Sequence, residues 1–475
     1  MGESDIFAGL ASVLPPERIL GSEAARRVYA HDAYTVDRSA PDVIVLPETT
    51  EEAQAVIRWC LVHQVPFTPR GAGTGLSGGA MAAKGGVILS TKRLNRILQI
   101  DIPNRRLHAQ AGVANLKLSQ AVAAEGFHFA PDPSSQSVST LGGNIAENSG
   151  GPHTLKYGVT APHILAMTWI DNAGEVRTWG TGVEGGPGPD LLSVLVGSEG
   201  TLGFVTEAWV KLTPLPARVE TLLASFPSVV AATETVAEII AAGVIPAALE
   251  MMDRNILVAV QAAFGLEVPA GTEAMLLVEC DGSPAAAQAE IEEVFAICQR
   301  FGAIELKLAA NEAERKHLWT ARKKGVGAMG RLAPTVVTHD GVIPRSKLPE
   351  MLTFVYEVAE AERLGVANIF HAGDGNLHPC FYFDDREPGV VERVVRAGER
   401  ILTKCIELGG SVSGEHGIGV EKVDFMPLMF SEADLALQGD VKRMFPTSEF
   451  ANPCKVLPNQ TGCVEHQRRW RGAAH

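Results

Sequence analysis

Short apolar runs alternate with polar helical segments along the first half of the chain. The pattern predicts strands at residues 42–47, 65–69, 86–90, 106–112 and 204–212, and helices at residues 1–40, 51–63 and 115–126. Thr50 stands directly before the acidic start of the second helix, where a hydroxyl can cap free backbone amides. Strands that alternate with helices in this way indicate an α/β arrangement.

The pattern changes at Thr213-Pro214-Leu215-Pro216, which we interpret as a domain boundary. The chain beyond it is alanine-rich and helical, with apolar strand-like runs at residues 274–279, 366–371 and 377–383. These runs predict an antiparallel sheet covered by helices, so the fold class of the whole chain is α+β. The motif Phe450–Pro458 is predicted to return to the first domain.

Composition and charge narrow the function classes. The chain has 475 residues, 46% of them hydrophobic and 20% charged, which is enough for two or three globular domains. Its net charge of −14 argues against nucleic acid as a partner, because phosphate binding needs a basic surface. An anionic substrate would need a local concentration of positive charge.

Cysteine usage and the first residues predict a cytoplasmic protein. The seven cysteines form neither a disulfide framework nor an iron–sulfur ligand run, which favours a reducing compartment. The acidic start Met1–Asp5 lacks the basic and apolar order of a signal peptide, and no apolar run has transmembrane length. A peripheral association with the inner face of the membrane is compatible with this pattern.

A glycine-rich loop, Arg70 to Ala80, follows the second strand and carries five glycines in eleven positions. Glycine permits conformations in which successive backbone amides converge on an anion. A flexible linker is the alternative, but the position after a strand and the presence of Arg70 and Leu76 favour a pyrophosphate cradle. The residues alone do not decide between a flavin and a nicotinamide dinucleotide. A second Gly/Ser-rich stretch, residues 131–151, has the length and polarity of a functional loop.

Two histidine motifs, His371–His378 and Gly414–Gly419, predict a metal site. A two-residue turn at Asp374-Gly375 would place His371 directly opposite His378, with Cβ atoms about 5 Å apart. Two imidazoles this close can bind one metal ion, and Glu415 would add a carboxylate ligand. His416, which is not needed as a ligand, is then free to move protons. The alternative is that these histidines are ordinary polar residues with satisfied hydrogen bonds.

Several motifs together make the chain similar to a known family. They lie at residues 69–79, 131–146, 156–159, 197–203, 319–323 and 340–345, in addition to the two histidine motifs. Over residues 41–458 the chain resembles the FAD-linked oxidoreductases of the vanillyl-alcohol oxidase type, in their D-2-hydroxy-acid dehydrogenase branch, and most of all the FAD-linked subunits of glycolate oxidases. The resemblance implies a two-part FAD-binding domain of the PCMH type over residues 1–214. It also implies a substrate (cap) domain of the FAD-linked oxidase C-terminal type over residues 215–424 and a returning segment over residues 425–475.

The same resemblance assigns roles to individual residues. It makes His371, His378 and Glu415 the ligands of a divalent metal, with zinc or manganese favoured. It makes His416 the catalytic base and Arg322 the residue that binds the substrate carboxylate, for which a bidentate guanidinium is well suited. The residues implied to contact FAD are Pro69, Arg70, Gly71, Ala72, Gly73, Thr74, Gly75, Leu76, Ser77, Pro131, Ser134, Gly142, Gly143, Asn144, Ala146, Gly200 and Val205.

Three departures from the family pattern refine these expectations. Thr74 and its neighbours include no histidine for a covalent flavin link, so the FAD is expected to be non-covalent. Relatives that act on 2-hydroxyglutarate carry lysine and asparagine near the positions of Thr338 and Cys380, which disfavours a dicarboxylate substrate here. Cys454 stands where glycine is usual.

The implied reaction is oxidation of a small 2-hydroxy acid, glycolate or D-lactate, to the 2-oxo acid. Proton abstraction assisted by the metal would accompany hydride transfer to flavin N5. One alternative is a dehydrogenase for another D-2-hydroxy acid, such as 2-hydroxyglutarate, and another is an electron-transfer subunit without its own turnover. The electron acceptor stays open among a quinone, a cytochrome, oxygen, and iron–sulfur or flavoprotein partner subunits.

Overall fold

The elements up to residue 214 build three sheets in the computed structural model, which describes residues 3–186 and 188–458. The strands are β1 Ile19–Leu20, β2 Val43–Val45, β3 Phe67–Arg70, β4 Val87–Ser90, β5 Ile97–Asp101, β6 Arg106–Gln110, β7 Phe127–His128, β8 Ile164–Ile170, β9 Val176–Gly180, β10 Phe204–Lys211 and β11 Thr213–Pro214. The helices are α1 Glu3–Leu10, α2 Glu23–Val28, α3 Thr50–Val62, α4 Asn115–Val122, α5 Leu141–Glu147, α6 Thr154–Tyr157 and α7 Leu192–Leu195.

The first sheet has the order β1-β2-β4-β3, and β2, β4 and β3 run parallel, as the strand–helix–strand pattern predicts. A five-stranded antiparallel sheet, β5-β6-β10-β8-β9, follows, together with the small pair β11-β7. Two expectations were wrong in detail. Thr49, not Thr50, caps α3, because its side chain accepts the amide of Glu52 at 3.2 Å. Residues 3–40 contain only the short α-helices α1 and α2 instead of a continuous helical stretch.

The elements after residue 214 build one large sheet with helices against it. Its strands are β12 Arg218–Phe226, β13 Ala248–Asp253, β14 Ala274–Gly282, β15 Glu305–Leu308, β16 Thr335–Thr338, β17 Gly341–Val342, β18 Gly365–His371, β19 Asn376–Leu377 and β20 Pro379–Phe383. The helices are α8 Val229–Ala241, α9 Arg254–Phe264, α10 Pro284–Arg300, α11 Glu312–Lys323, α12 Gly325–Ala328, α13 Leu348–Glu362, α14 Val390–Glu407, α15 Met426–Met429 and α16 Glu432–Arg443.

Neighbouring strands of this sheet run antiparallel in the order β15-β12-β14-β13-β18-β19-β17, with β20 beside β18 and β16 beside β20. Alternate residues point into two cores. Leu222 and Leu276 join a cluster with helices α8, α10, α13 and α14, whereas Leu223 and Leu277 join a cluster with α9 and α11. Helices therefore cover both faces, which explains why residues 274–278 at the start of β14 are all apolar. Within the described ranges, no helix is long and apolar enough to cross a membrane.

The segment after α16 packs against the first sheet. The amide of Phe67 on β3 donates to Phe450, and the amide of Asn452 donates to Phe67, both at 2.8 Å. The buried ammonium of Lys455 donates to the carbonyls of Gly79 and Met81 at 3.0 and 2.7 Å, so this segment ties down the end of the glycine loop. Cys454, in the same segment, is disulfide-bonded.

Candidate active site

A cavity of about 320 Å³ is lined by residues from both halves of the chain. The glycine loop, α5 and the Gly200 turn supply one part of its wall, and α11 and the Glu415–His416 segment supply another. The predicted residues that line it are Pro69–Leu76, Ser134, Gly142, Gly143, Asn144, Ala146, Gly200, Val205, Arg322, His378, Glu415 and His416. The predicted cofactor contacts Ser77 and Pro131 do not belong to the lining. Ser77 instead donates its hydroxyl to the carbonyl of His416 at 2.8 Å.

The glycine loop begins where β3 ends and has the properties of an anion cradle. Among the described residues, no protein acceptor is hydrogen-bonded to the backbone amides from Gly71 to Leu76. Gly73 has φ +72°, and a Cβ there would lie 2.3 Å from the Arg70 guanidinium, so the loop requires glycine at this position. Arg70 closes the loop by donating to the carbonyl of Ala80 at 3.2 Å. Free amides that border a cavity fit a pyrophosphate group.

Helix α5 packs closely against this loop. Thr140 caps α5 by accepting the amide of Gly143 at 3.2 Å. A Cβ on Gly71 would lie 2.4 Å from the Thr140 hydroxyl, so the two segments approach as closely as glycine allows. Asn144 is held by a buried hydrogen bond of 2.8 Å to Asn115. The two glycine-rich stretches identified in the sequence thus form one continuous wall suited to an extended dinucleotide.

The predicted histidine hairpin has the wrong register. His371 pairs with Asn376 and Ala367 with Cys380, so a four-residue loop, Ala372–Gly375, replaces the two-residue turn. The predicted pairing of His371 with His378 is therefore off by two residues. A shift of two residues keeps every side chain on the same face of the sheet, because the side-chain period of a strand is two. The two imidazole rings accordingly lie 5.1 Å apart between centroids.

His371, His378 and Glu415 converge on one point, with candidate ligand atoms within 4.8 Å of one another. Glu415 Oε1 lies 3.3 Å from Nε2 of His371 and 3.4 Å from Nε2 of His378. The buried Nε2 of His378 has no hydrogen-bond partner among the described residues. Burial acts to raise the pKa of Glu415, but the three neighbouring histidines outweigh it and lower the pKa to about 2. The donor set and the unpartnered nitrogen fit a divalent metal with open positions.

Glu250 lies behind this cluster and contacts two predicted site residues. Its carboxylate accepts from Nδ1 of His371 at 2.8 and 3.0 Å and forms an ion pair with the Arg322 guanidinium. Burial acts to raise the pKa of Glu250, but Arg322 and His371 together hold it below its usual value. Arg322 Nε is buried and has no hydrogen-bond partner among the described residues, and the Arg322 side chain lines the cavity.

His416 stacks on His378 at 4.9 Å between ring centroids and is held by its backbone. Its amide donates to Asp340 Oδ2 at 3.1 Å, and the same oxygen accepts the amide of Gly414 at 2.9 Å. Burial is the main cause that lowers the pKa of His416 to about 4, which makes the imidazole neutral at neutral pH. Its Nδ1 is buried without a hydrogen-bond partner among the described residues. A neutral imidazole with a free nitrogen is suited to accept a proton.

The sequence reasoning missed several polar residues at the site. Glu250 is flanked by apolar residues within β13, and a carboxylate in such a strand is a signal, because a buried carboxylate must be paired. Asp340 belongs to a motif already identified, but nothing in it indicates that the carboxylate organises the His416 segment. Lys323, next to Arg322, also lines the cavity and pairs with Asp132 at 3.1 Å. Glu199 accepts the amides of Ile418 and Gly419 at 2.6 and 2.7 Å.

Comparison with known proteins places this geometry in a family. Residues 215–456 match the model of FAD-linked oxidases, C-terminal domain, and residues 41–180 match an FAD binding domain. The chain belongs to the FAD-linked oxidases. It is 42% identical over 462 residues to the glycolate oxidase subunit GlcD of Escherichia coli (strain K12), covering 97% of this chain and 93% of that protein. It is 38% identical to glycolate oxidase subunit GlcD of Bacillus subtilis (strain 168), covering 95% and 97%, and 32% identical to a D-lactate dehydrogenase of Anaerostipes hadrus, covering 93% and 95%.

Solved structures agree with the fold of this FAD-linked oxidase. A p-cresol methylhydroxylase with bound substrate is similar with a TM-score of 0.79 over 95% of this chain and 96% of that one, at 15% identity. An alkyldihydroxyacetonephosphate synthase is similar with a TM-score of 0.75, covering 95% and 86%, at 18% identity. The predicted fold class is confirmed: a PCMH-type FAD-binding domain is joined to an α/β domain whose antiparallel sheet is covered by helices. The protein is an FAD-dependent oxidoreductase, as predicted.

Proposed function

We propose that this FAD-linked oxidase converts a small 2-hydroxy acid, glycolate or D-lactate, to the 2-oxo acid. The observation that carries the proposal is the arrangement around one cavity. The glycine loop with its free amides forms part of the wall, and Arg322, His378, Glu415 and His416 form another part. Relatives named glycolate oxidase subunit GlcD and D-lactate dehydrogenase support the same substrate class.

The cavity-lining residues from Pro69 to Leu76 are proposed to hold the FAD, together with Ser134, Gly142, Gly143, Asn144, Ala146, Gly200 and Val205. When bound, FAD supplies the acceptor for the two electrons of the oxidation. We propose that the flavin is non-covalent, because the glycine loop contains no histidine or cysteine. Acid or heat should release the yellow colour into solution, and flavin that stays with the precipitated chain would contradict this assignment.

His371, His378 and Glu415 are proposed to hold a divalent metal, zinc or manganese. Such an ion lowers the pKa of a coordinated hydroxyl when it is bound. The donor set of two imidazoles and one carboxylate suits either ion, and the unpartnered nitrogen of His378 supports ligation over a purely structural role. Asp374, in the loop beside His371, is not needed as a ligand in this proposal.

The side chains around the cavity have distinct proposed tasks. Arg322 binds and orients the substrate carboxylate through the donors that Glu250 does not occupy. His416 accepts the proton of the 2-hydroxyl, for which its neutral state and free Nδ1 are suited. Thr338 and Ile369 line the same cavity, and the Thr338 hydroxyl contacts Cys380 Sγ at 3.3 Å. Thr338 and Cys380 stand where relatives that act on 2-hydroxyglutarate carry lysine and asparagine. The absence of these two residues supports a monocarboxylate substrate over 2-hydroxyglutarate.

The electron acceptor, the location of the protein and the domain bounds complete the proposal. Because two relatives are named as subunits, we propose that electrons leave the flavin through partner subunits or another acceptor, in the cytoplasm or at the inner face of the membrane.

We propose the domain division 1–214, 215–424 and 425–475. The contacts of Phe450 and Asn452 with β3 support a return of the last part to the FAD-binding domain.

The test is anaerobic mixing of the purified protein with glycolate, D-lactate and D-2-hydroxyglutarate in separate experiments, with no other protein present. We expect the first or second acid to bleach the flavin, and we expect prior chelator treatment to abolish this bleaching. If all three acids leave the flavin oxidised in a metal-loaded sample, the proposal fails, and the electron-transfer subunit becomes the better account.

A further inference from the structure

Glu250 is the one carboxylate that contacts both a proposed metal ligand and the proposed carboxylate-binding arginine among the described residues. It lies on β13 directly across from His371 on β18, so the sheet itself brings the two residues together. Its side chain is fully buried, and both partners are almost fully buried. Burial of an unpaired charge costs several kcal/mol of folding free energy. The buried Glu250 carboxylate therefore depends on its contacts with His371 and Arg322.

The contact with His371 has the form of an outer-sphere carboxylate. Nδ1 of His371 faces both oxygens of Glu250 at 2.8 and 3.0 Å, whereas Nε2 faces Glu415 at 3.3 Å. A proton on Nδ1 that is shared with a carboxylate fixes the ring and leaves the Nε2 lone pair directed at the candidate metal position. Carboxylates in this position raise the basicity of a ligating histidine, and their loss weakens metal binding about 10–100-fold.

The contact with Arg322 uses the same carboxylate for a second purpose. Arg322 lies in the last turn of helix α11, which is a different element from the hairpin that carries His371. The ion pair with Glu250 holds one guanidinium nitrogen and leaves Nε without a hydrogen-bond partner among the described residues. The arginine is therefore held in orientation by Glu250, keeps an unpartnered donor, and lines the cavity.

We propose that Glu250 is a positioning residue that holds His371 for the metal and Arg322 for the substrate at the same time. The inference rests on the proposed metal and substrate sites. It means that one buried side chain fixes the position of the metal ligand His371 relative to the substrate-binding Arg322. Glu250 touches neither the substrate nor the metal in this account.

Metal affinity separates this role from a general contribution to stability. The probe is Zn²⁺ alone, titrated into the FAD-loaded, metal-depleted protein in competition with a chromophoric chelator. We expect Glu250→Gln to weaken Zn²⁺ binding at least about 10-fold. Asp253→Asn is the matched control, because Asp253 is a buried carboxylate on the same strand that accepts from Asn368 and Tyr356 instead of from site residues. It should leave Zn²⁺ affinity within about threefold of the parent.

Two further variants keep the test informative if Glu250→Gln folds poorly. Glu250→Gln leaves the buried Arg322 charge unpaired, whereas Glu250→Gln/Arg322→Met removes both charges and is expected to fold better. The double variant should show the same loss of Zn²⁺ affinity, and Arg322→Met alone should keep the parental affinity. Parental affinity in the double variant would overturn the proposal. A parent protein that binds no Zn²⁺ or Mn²⁺ at all would instead remove the metal site itself, so the two failures are distinguishable.

Discussion

Two histidines of this protein, the buried His371 and the half-buried His153, each lie between two carboxylates but differ in what else surrounds them. His153 lies 2.9 Å from Asp132 and 3.2 Å from Glu279, one carboxylate for each ring nitrogen. His371 has the same arrangement with Glu250 and Glu415. A second imidazole, His378, approaches only the His371 group, and it converges on the same point as Nε2 of His371 and Glu415.

The surroundings of the two carboxylate pairs explain the difference. Glu279 is also bound by Arg315 at 2.8 Å and by the indole of Trp319 at 2.6 Å, and Asp132 is also bound by Lys323. These donors complete the charge balance around His153, so it forms a closed ion-pair network between the first half of the chain and α11. By contrast, Nε2 of His378 has no hydrogen-bond partner among the described residues, and the side chains that face the Glu415 carboxylate there are the imidazoles of His371, His378 and His416. A candidate metal site is therefore better recognised by converging ligand atoms that include an unpartnered nitrogen than by histidine–carboxylate proximity alone.

The largest effect is expected for His416→Ala, which removes the proposed base and leaves both histidine–carboxylate groups intact. Flavin reduction by substrate should fall about 10²–10⁴-fold, the usual contribution of a positioned base. Metal content should stay near that of the parent, because His416 is not among the ligands. The measurement is anaerobic flavin reduction by stopped flow, with elemental analysis of the same sample. A rate within threefold of the parent would remove His416 as base.

A smaller loss is expected for Arg322→Lys, which keeps the charge next to Glu250 but not the planar fork. Lysine cannot orient a carboxylate through two parallel hydrogen bonds. We expect kcat/KM for glycolate to fall about 10–100-fold, the equivalent of one charge-assisted hydrogen bond of about 1.5–3 kcal/mol. Most of this change should be in KM. Steady-state kinetics with an artificial acceptor measure it, and an unchanged kcat/KM would place the carboxylate elsewhere.

His153→Gln should affect stability more than chemistry, in contrast to substitutions at the proposed metal cluster of His371, His378 and Glu415. The variant removes the charge between Asp132 and Glu279, whose other partners, Lys323 and Arg315, remain. We expect a loss of about 2 kcal/mol, in the range of hydrogen bonds to charged groups. Urea unfolding followed by flavin and tryptophan fluorescence measures the loss. A larger effect on flavin reduction than on unfolding would show that the network takes part in the chemistry.

The smallest expected effect is the pH dependence of the stabilisation that His153 contributes. Burial acts to lower the pKa of His153, but Asp132 and Glu279 outweigh it and raise the pKa to about 10. Because the folded-state pKa exceeds the unfolded value of about 6.5, the stabilisation is fully present below pH 6.5 and is lost as the pH rises through 10. The difference in urea midpoint between the parent and His153→Gln should therefore shrink between pH 7 and pH 10. A constant difference would contradict the ion-pair assignment.

Local patterns predicted most elements and placed His371 and His378 on one face of the sheet, whereas long-range contacts could not be predicted from them. The histidine hairpin was predicted from a two-residue turn signal, and the predicted register was wrong. In the structure Gly375, at φ +78°, closes a four-residue loop against the Ile343 carbonyl. Both histidines still lie on the predicted face of the sheet, because the register shift is two residues. Glu250 and His371 are 121 residues apart in sequence, and only the assembled sheet brings them together.

The departure at Cys454 has a partial explanation in backbone geometry. Its φ is +67°, in the left-handed region that glycine adopts at little cost, which accounts for a preference for glycine at this position. The motif as a sequence contains no sign of this conformation.

The metal content of three proteins tests the central claim most directly: the parent, His371→Ala and His153→Ala, each loaded with Zn²⁺ or Mn²⁺, desalted and analysed for metal and FAD. We predict about one ion per chain in the parent and in His153→Ala, and almost none in His371→Ala, with FAD retained in all three because the glycine loop is untouched. A full complement of metal in His371→Ala, or loss of metal in His153→Ala alone, would contradict the assignment of the His371, His378 and Glu415 cluster.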